Sequence, residues 1–110
     1  RTALEARVAE IFERVDVLLT PTTAIPAHVA EGPPPAEIDG RPVHPAMAVP
    51  FTMLANLCWN PAVSVPAGLT RDGLPVGLQI MTRRHADDVA LRLARIAEQT
   101  FPWPRRAPGY

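Results

Sequence analysis

Seven of the fourteen prolines in this chain lie between Thr22 and Pro50, including the triplet Pro33-Pro34-Pro35. Each proline fixes one backbone dihedral angle and removes a hydrogen-bond donor, so long helices and central strands are excluded from this segment. The composition predicts a long extended loop. Loops of this length in a compact domain are functional, disordered or packed on another part of the protein. We expect this loop to pack on another part of the protein, with regular structure confined to the flanking segments.

The segment before the loop is predicted to form a helix followed by a strand. From Thr2 to Val15, apolar residues recur at spacings of three and four, which places them on one helical face. These are Leu4, Val8, Ile11, Phe12 and Val15. Val17 to Thr20 is a short apolar run closed by Pro21, which is typical of a buried strand.

The segment after the loop is predicted to contain a short helix, two strands and a closing helix. Phe51 to Cys58 has the composition of a helical turn that follows a favourable proline. The strands, 62–65 and 76–81, are separated by the turn signal Thr70-Arg-Asp-Gly73 and are expected to pair antiparallel. The predicted core face of the last helix, 86–100, consists of Val89, Leu93, Ile96 and Ala97. The fold class is therefore α/β, and residues 1–110 form a single partial domain.

Composition argues against several classes of function. Eleven acidic and eleven basic side chains leave no net charge to attract nucleic acid or anionic lipid. No apolar run approaches a membrane span, and the first residues do not resemble a signal peptide, so we expect no membrane partner and a cytoplasmic location. The lone cysteine, Cys58, fits a reducing compartment. Since the sequence does not begin with Met, we expect it to be part of a longer protein.

No cofactor or metal is predicted. His28, His44 and His85 are too far apart to form a ligand motif, and the glycines are too dispersed for a dinucleotide fingerprint or a P-loop. A nucleophilic arrangement of Cys58, His85 and Asp87 is chemically possible. However, a lone cysteine flanked by Leu57 and Trp59 is more typical of a packed core residue. We predict no catalytic residue in this chain.

Three blocks of sequence resemble one enzyme family in order along the chain. They are Asp16-Val-Leu-Leu-Thr-Pro-Thr22, the segment Phe51–Gly68 with its Ser-Val-Pro-Ala-Gly exit, and Asp72-Gly-Leu-Pro-Val-Gly-Leu-Gln-Ile80 with the helix that follows. Together they resemble the C-terminal portion of the amidase signature family, which includes glutamyl-tRNA amidotransferase A subunits and fatty-acid amide hydrolases. The resemblance implies part of an α/β/α sandwich with a mixed sheet, two flanking helices and the long proline-rich loop.

The family's chemistry, by the same resemblance, uses a nucleophilic Ser, a second Ser and a neutral Lys to hydrolyse a carboxylic amide. This chain has no Lys, and its one serine, Ser64, lies in a predicted strand. We therefore expect a non-catalytic fragment of an amidase whose parent binds a small-molecule amide. Surfaces that the parent would cover are expected to cause self-association.

The substrate-binding candidates follow from the resemblance and from the predicted strand. The counterpart of Phe51–Asn56 in fatty-acid amide hydrolases is similar to a wall of the acyl channel, which makes Phe51, Thr52, Ala55 and Trp59 pocket candidates. The alternative is that these four are core residues. Thr20 and Thr22 are further candidates, because ligands of α/β folds collect beyond the carboxyl ends of strands.

Two departures from the family pattern bear on the substrate. Val49 stands where the amidotransferase members have an acidic substrate-binding residue, which argues against glutamine as the substrate. Trp59 stands where many members have Gly and would reshape the pocket. The alternative function is a small non-catalytic interaction or structural domain that binds a partner through the proline-rich loop or an exposed apolar sheet face.

Overall fold

The computed structural model describes residues 1–104, in which helices lie on both faces of a small sheet. Along the chain the elements are α1 (Thr2–Phe12), β1 (Val17–Pro21), β2 (Glu37–Ile38), β3 (Arg41–Pro42), a 3-10 helix (Pro45–Ala48), α2 (Pro50–Cys58), β4 (Ala62–Leu69), β5 (Pro75–Thr82) and α3 (Asp87–Thr100). The predicted helices and strands on either side of the loop are confirmed, with shifts of a few residues at their ends.

The main sheet has three strands in the order β1-β5-β4, and both pairs are antiparallel. The predicted hairpin of β4 and β5 is thereby confirmed. Its register shifts between Pro66 and Leu69, where β4 is irregular. The resemblance implied a mixed sheet, but residues 1–104 contain no parallel pair.

The core lies between the sheet and the two helices of one face. Val8 of α1, Ala55 and Cys58 of α2, and Met81 of β5 are buried together in one cluster. Helix α3 packs on β4 and β5 instead. Because side chains alternate along a strand, Met81 and its neighbour Ile80 face opposite sides. The result is a three-layer arrangement of helices, sheet and helix, which confirms the α/β class.

The predicted core faces of the two long helices were too wide. Helix α1 ends at Phe12 rather than Val15, and Val8 is its one buried residue while Ile11 is 41% exposed. In α3 the buried residue is Ala90, and Ile96, predicted to be in the core, is 50% exposed. The physical reason is that a three-stranded sheet covers only a narrow stripe of each helix within residues 1–104.

The loop between β1 and α2 follows the prediction in having no long regular element, but it contains a small hairpin that was not predicted. Strands β2 and β3 pair through Asp39 and Gly40, which both have positive φ, the conformation that a two-residue hairpin turn requires. The Asp-Gly dipeptide was the available signal. A 3.1 Å hydrogen bond from the Ala24 amide to the Ala48 carbonyl oxygen joins the start and the end of the loop near the sheet.

Candidate functional site: a polar strip on the sheet

Four polar residues interrupt the apolar face of the sheet that α1 and α2 cover. Thr20 of β1 and Ser64 of β4 are both paired with Gln79 of β5, so their side chains share one face. Thr22 lies just beyond β1, and its amide donates to the Gly77 carbonyl at 2.9 Å. We call Thr20, Thr22, Ser64 and Gln79 the polar strip.

Gln79 is the centre of the strip and is 4% exposed. Its Nε2 donates to Thr20 Oγ1 at 3.1 Å and to the Phe51 carbonyl oxygen at 3.1 Å. A carbonyl oxygen can only accept, so these contacts fix which end of the Gln79 amide faces α2. Gln79 thereby joins β1, β5 and the first turn of α2, and it hydrogen-bonds to two of the predicted pocket residues, to the Thr20 hydroxyl and to the Phe51 backbone carbonyl.

The second contact of the strip joins Thr22 and Ser64. Their hydroxyl oxygens lie 2.6 Å apart, although Thr22 follows β1 and Ser64 belongs to β4, on opposite sides of β5. Gly77 of β5 makes this approach possible. A Cβ at position 77 would lie 2.6 Å from Thr22 Oγ1 and 2.8 Å from Ser64 Oγ, closer than real Cβ atoms come.

The strip has hydrogen-bonding groups but no group that would activate a nucleophile. Within residues 1–104, the side-chain hydrogen bonds of the strip join only hydroxyl, carboxamide and backbone groups. A serine hydroxyl attacks an amide only when a base takes its proton. Ser64 Oγ has the Thr22 hydroxyl as its partner, and that group is not a base at neutral pH. Within the described residues, the strip therefore presents neutral hydrogen-bonding groups, and the side-chain partner of Ser64 Oγ is a hydroxyl.

The remaining candidates on α2 have separate surroundings. Thr52 Oγ1 donates to the Val49 carbonyl oxygen at 3.1 Å, in the first turn of the helix. Ala55 is buried in the core with Val8 and Met81. Trp59 follows the last turn, at the opposite end of the helix from Phe51. The structure thus brings Thr20 and Phe51 into contact with Gln79 and Thr22 into contact with Ser64, while substrate binding by any of the six candidates stays a prediction.

Trp59 has an unusual backbone for a large residue. It ends α2 in the left-handed conformation, with φ of 59°, where glycine has no steric penalty. Its side chain is 67% exposed, and the Arg1 guanidinium lies 4.9 Å from its ring centroid, a cation–π arrangement.

The end of α2 is held by side chains of the neighbouring elements. Arg84 Nε donates to the Cys58 carbonyl oxygen at 2.8 Å, and Asn60 Nδ2 donates to the Thr82 carbonyl oxygen at 2.7 Å. Arg84 Nη2 also lies 3.3 Å from Glu5 Oε2. The hydrogen bond from Arg1 lowers the pKa of Glu5, with burial acting in the opposite direction and Arg84 adding to the lowering.

A separate cleft lies on the other face of the sheet. It has a volume of about 560 Å³ and runs between β4 and α3, with Val65, Leu91 and Trp103 among its lining residues. None of the six predicted substrate-binding residues lines it. Within residues 1–104, no group of three His, Cys, Asp or Glu residues could hold a metal ion, and no helix is long and apolar enough to cross a membrane.

Sequence reasoning missed Gln79 as a site residue and placed Ser64 in a predicted strand without a role in the site. A signal for Gln79 was present, since it is the one polar side chain in the apolar run Val76–Met81. A glutamine in such a strand must find hydrogen-bond partners when it is buried. Its partners come from β1 and α2, which are distant in the sequence, so the pattern alone could not identify them.

The three-layer fold defines this chain as a section of an α/β/α protein. Comparison with known proteins then assigns the family. The amidase family model matches residues 1–91. A fatty acid amide hydrolase of Medicago truncatula is 40% identical over 101 residues, covering 90% of this chain and 16% of the relative. The A subunit of the glutamyl-tRNA(Gln) amidotransferase of Geotalea daltonii is 37% identical over 106 residues, covering 96% of this chain and 21% of the relative.

Solved structures agree with that assignment. A bacterial aryl acylamidase of the amidase signature family superposes with a TM-score of 0.83 at 35% identity, covering 93% of this chain and 21% of that chain. The A subunit of the glutamyl-tRNA(Gln) amidotransferase of Thermotoga maritima gives a TM-score of 0.73 at 34% identity, covering 92% of this chain and 21% of that subunit. This chain belongs to the amidase signature family. It corresponds to a section of such enzymes and spans 16% to 21% of the length of the two relatives described above.

Proposed function

We propose that this chain is the C-terminal portion of an amidase and that it forms part of the wall of the substrate pocket. The observation that carries the proposal is the polar strip. Gln79 holds Thr20 against the start of α2, which is the segment that resembles the acyl-channel wall of fatty-acid amide hydrolases. Thr20, Thr22, Phe51 and Thr52 would contact the substrate from this side, with Ala55 supporting them from the core.

The chemistry of amide cleavage would come from the rest of the amidase. In the family mechanism one Ser attacks the carbonyl while a neutral Lys removes its proton through a second Ser, and this chain has neither a Lys nor a second Ser. The 110-residue chain by itself is then inactive. Its proposed substrate is a small or apolar carboxylic amide, because Val49 replaces the acidic residue that amidotransferase members use.

Two measurements test this proposal. The purified chain, mixed with a chromogenic anilide such as 4-nitroacetanilide, should release nitroaniline no faster than buffer. Hydrolysis above that background would contradict the non-catalytic role. Sequencing the coding frame upstream of Arg1 should reveal a Gly/Ser-rich segment preceded by a Lys codon tens of residues earlier. A stop codon or an unrelated sequence there would favour the alternative, a small interaction domain.

The proposal extends to partners and location. The balance of eleven acidic and eleven basic residues supports the absence of nucleic acid or membrane partners, and a cytoplasmic location is part of the proposal. Within residues 1–104, the outer edge of β1 has no neighbouring strand, and Leu19 in its centre is 57% exposed. In a complete amidase such an edge would be covered. In the 110-residue chain it supports self-association.

A further inference from the structure

We propose that the cleft between β4 and α3 is a docking site for the proline triplet, residues 33–35, of a second copy of this chain. The triplet of one copy lies in the cleft of the next as a short polyproline II helix. The cleft is on the face of the sheet that α3 covers, away from the polar strip. The inference therefore does not depend on the pocket-wall role.

Two aromatic side chains line the site. Trp103 lies between two adjoining spaces, one of about 560 Å³ that extends to Leu91 and one of about 570 Å³ that extends to Ala97, and Phe101 lines both. Phe101 is 74% exposed and Trp103 is 37% exposed, so both rings are open to a ligand. Aromatic-lined grooves bind proline-rich segments, because a polyproline II helix is formed before it binds and loses little entropy.

The triplet is the one run of three prolines in the sequence, and it is accessible. Pro33 and Pro35 are exposed, and within residues 1–104 no backbone hydrogen bond uses a carbonyl oxygen of the triplet. Consecutive prolines favour the polyproline II conformation, in which three residues span about 9 Å. The carbonyl oxygens can accept a hydrogen bond, and the indole N–H of Trp103 is a donor.

The occupant is a second copy because the triplet and the cleft lie apart within one chain. None of the three prolines lines either space beside Trp103. The loop that carries them is held by the small hairpin of β2 and β3 and by the hydrogen bond from Ala24 to Ala48. The triplet of another copy can fill the cleft while this loop keeps its structure.

Charges at the cleft match one flank of the triplet. Arg95 lines the cleft, and among residues 1–104 no carboxylate lies within ion-pair distance of it. Glu31 precedes the triplet by two residues and lies outside the hairpin, so it can pair with Arg95 of the next copy. Glu98 lines the same cleft one turn further along α3 and disfavours a second acidic residue there. The flank with Glu31 therefore lies beside Arg95.

The first test is a titration of the dilute 15N-labelled chain with the peptide EGPPPAE, which is residues 31–37, followed by NMR. The indole N–H signal of Trp103 should shift saturably, whereas that of Trp59, which follows α2 on the other face, should not. The peptide EGAAAAE should bind about tenfold more weakly, because it is not preorganised and has less apolar surface. Equal affinity for the two peptides, or no shift at Trp103, would overturn the proposal.

Matched variants locate the site. Trp103→Ala should weaken EGPPPAE about tenfold, and Trp59→Ala should leave its affinity unchanged. Arg95→Gln should weaken the peptide about threefold, as expected for an exposed ion pair. Arg92→Gln is the control, since Arg92 lies on the same helix and lines neither space. Circular dichroism checks that the variants fold. Equal losses for the two arginine variants would mean unspecific attraction and would contradict the assigned cleft.

The second test identifies the occupant, by sedimentation equilibrium in the Leu19→Lys background, where pairing at the β1 edge is opposed. Replacing Pro33, Pro34 and Pro35 together by Ala should lower the average mass to that of the monomer. An excess of EGPPPAE added to the chain with its prolines should do the same. If the peptide binds at Trp103 but the triple replacement leaves the mass unchanged, the occupant is a proline-rich segment of another protein and the second copy is refuted.

Discussion

The hydroxyl groups of Thr22 and Ser64 meet at 2.6 Å across the bare backbone of Gly77. The two residues are 42 positions apart in the sequence, and the strands that lead to them do not pair with each other. Their contact depends on the central strand having no side chain at this point. The glycine is therefore part of the polar strip, although it contributes no polar side chain of its own.

Gly77→Ala is expected to destabilise the chain. The new Cβ would collide with both hydroxyl oxygens, and overpacking of this kind costs about 1–3 kcal/mol. Urea unfolding followed by circular dichroism measures the loss. The control is the double variant Gly77→Ala/Ser64→Ala, which removes one of the colliding atoms and should recover part of the stability. An unchanged urea midpoint for Gly77→Ala would show that the site has more space than the structure indicates.

Met81→Ala should be far more costly than the same change at Met53. Met81 is fully buried between the sheet, α1 and α2, whereas Met53 is 39% exposed on α2. Truncating a buried methionine leaves a cavity and costs about 2–5 kcal/mol, a large part of the stability of a small domain. Met53→Ala should stay within about 0.5 kcal/mol of the unmodified chain. Similar urea midpoints for the two variants would contradict the assigned core.

Trp59→Gly and Trp59→Ala should differ even though both remove the indole ring. Both lose the contact with Arg1, but only glycine removes the penalty of the left-handed conformation, about 1–2 kcal/mol for other residues. The greater flexibility of glycine when unfolded offsets part of this gain. We expect the Gly variant to be about 1 kcal/mol more stable than the Ala variant in thermal or urea unfolding. The reverse order would mean that position 59 is not left-handed in solution.

Glu5 should make stability depend on pH in a defined direction. The hydrogen bond from Arg1, against the opposing effect of burial and with help from Arg84, lowers the pKa of Glu5 in the folded chain. The folded state then holds this proton less tightly than the unfolded state. The resulting stabilisation is complete above the unfolded pKa of Glu5 and is lost as the pH falls through the folded value.

Melting temperatures measured from pH 7 to pH 3 can isolate this effect. The Glu5→Gln variant should lose less stability over that range than the unmodified chain. Glu10→Gln is the matched control, since Glu10 lies on the same helix and forms no ion pair among the described residues. Parallel pH profiles for Glu5→Gln and the unmodified chain would show that the ion pairs of Glu5 do not form in solution.

Leu19→Lys should reduce self-association. A lysine in the middle of the open β1 edge opposes pairing with a second strand, and it removes an exposed apolar side chain. Sedimentation equilibrium should show a lower average mass than for the unmodified chain. Ile96→Lys, at a half-exposed position on α3, serves as the control and should associate like the unmodified chain. A monomeric unmodified chain at high concentration would contradict self-association altogether.

Much of the fold could be predicted because local signals and tertiary structure agree. Apolar residues at helical spacing predicted both long helices, short strand-like segments predicted the three main strands, and the Thr70–Gly73 turn predicted the antiparallel hairpin. The core was predicted less well. A helical pattern identifies every apolar residue on one face, as in α3, but it does not say how much of that face the sheet will cover, and Ile96 is exposed for this reason.

The sequence by itself determined the family, through three blocks in a fixed order, and the positions of helices and strands, because each of these depends on neighbouring residues. The polar strip was decided by tertiary structure alone. Its hydrogen bonds join residues between 28 and 59 positions apart in the sequence. Gln79 bonds to Thr20 and Phe51, and the hydroxyls of Thr22 and Ser64 bond to each other. Such contacts exist only after the sheet has formed and brought distant side chains onto one face, and no local pattern shows that β1 and α2 will pack beside β5.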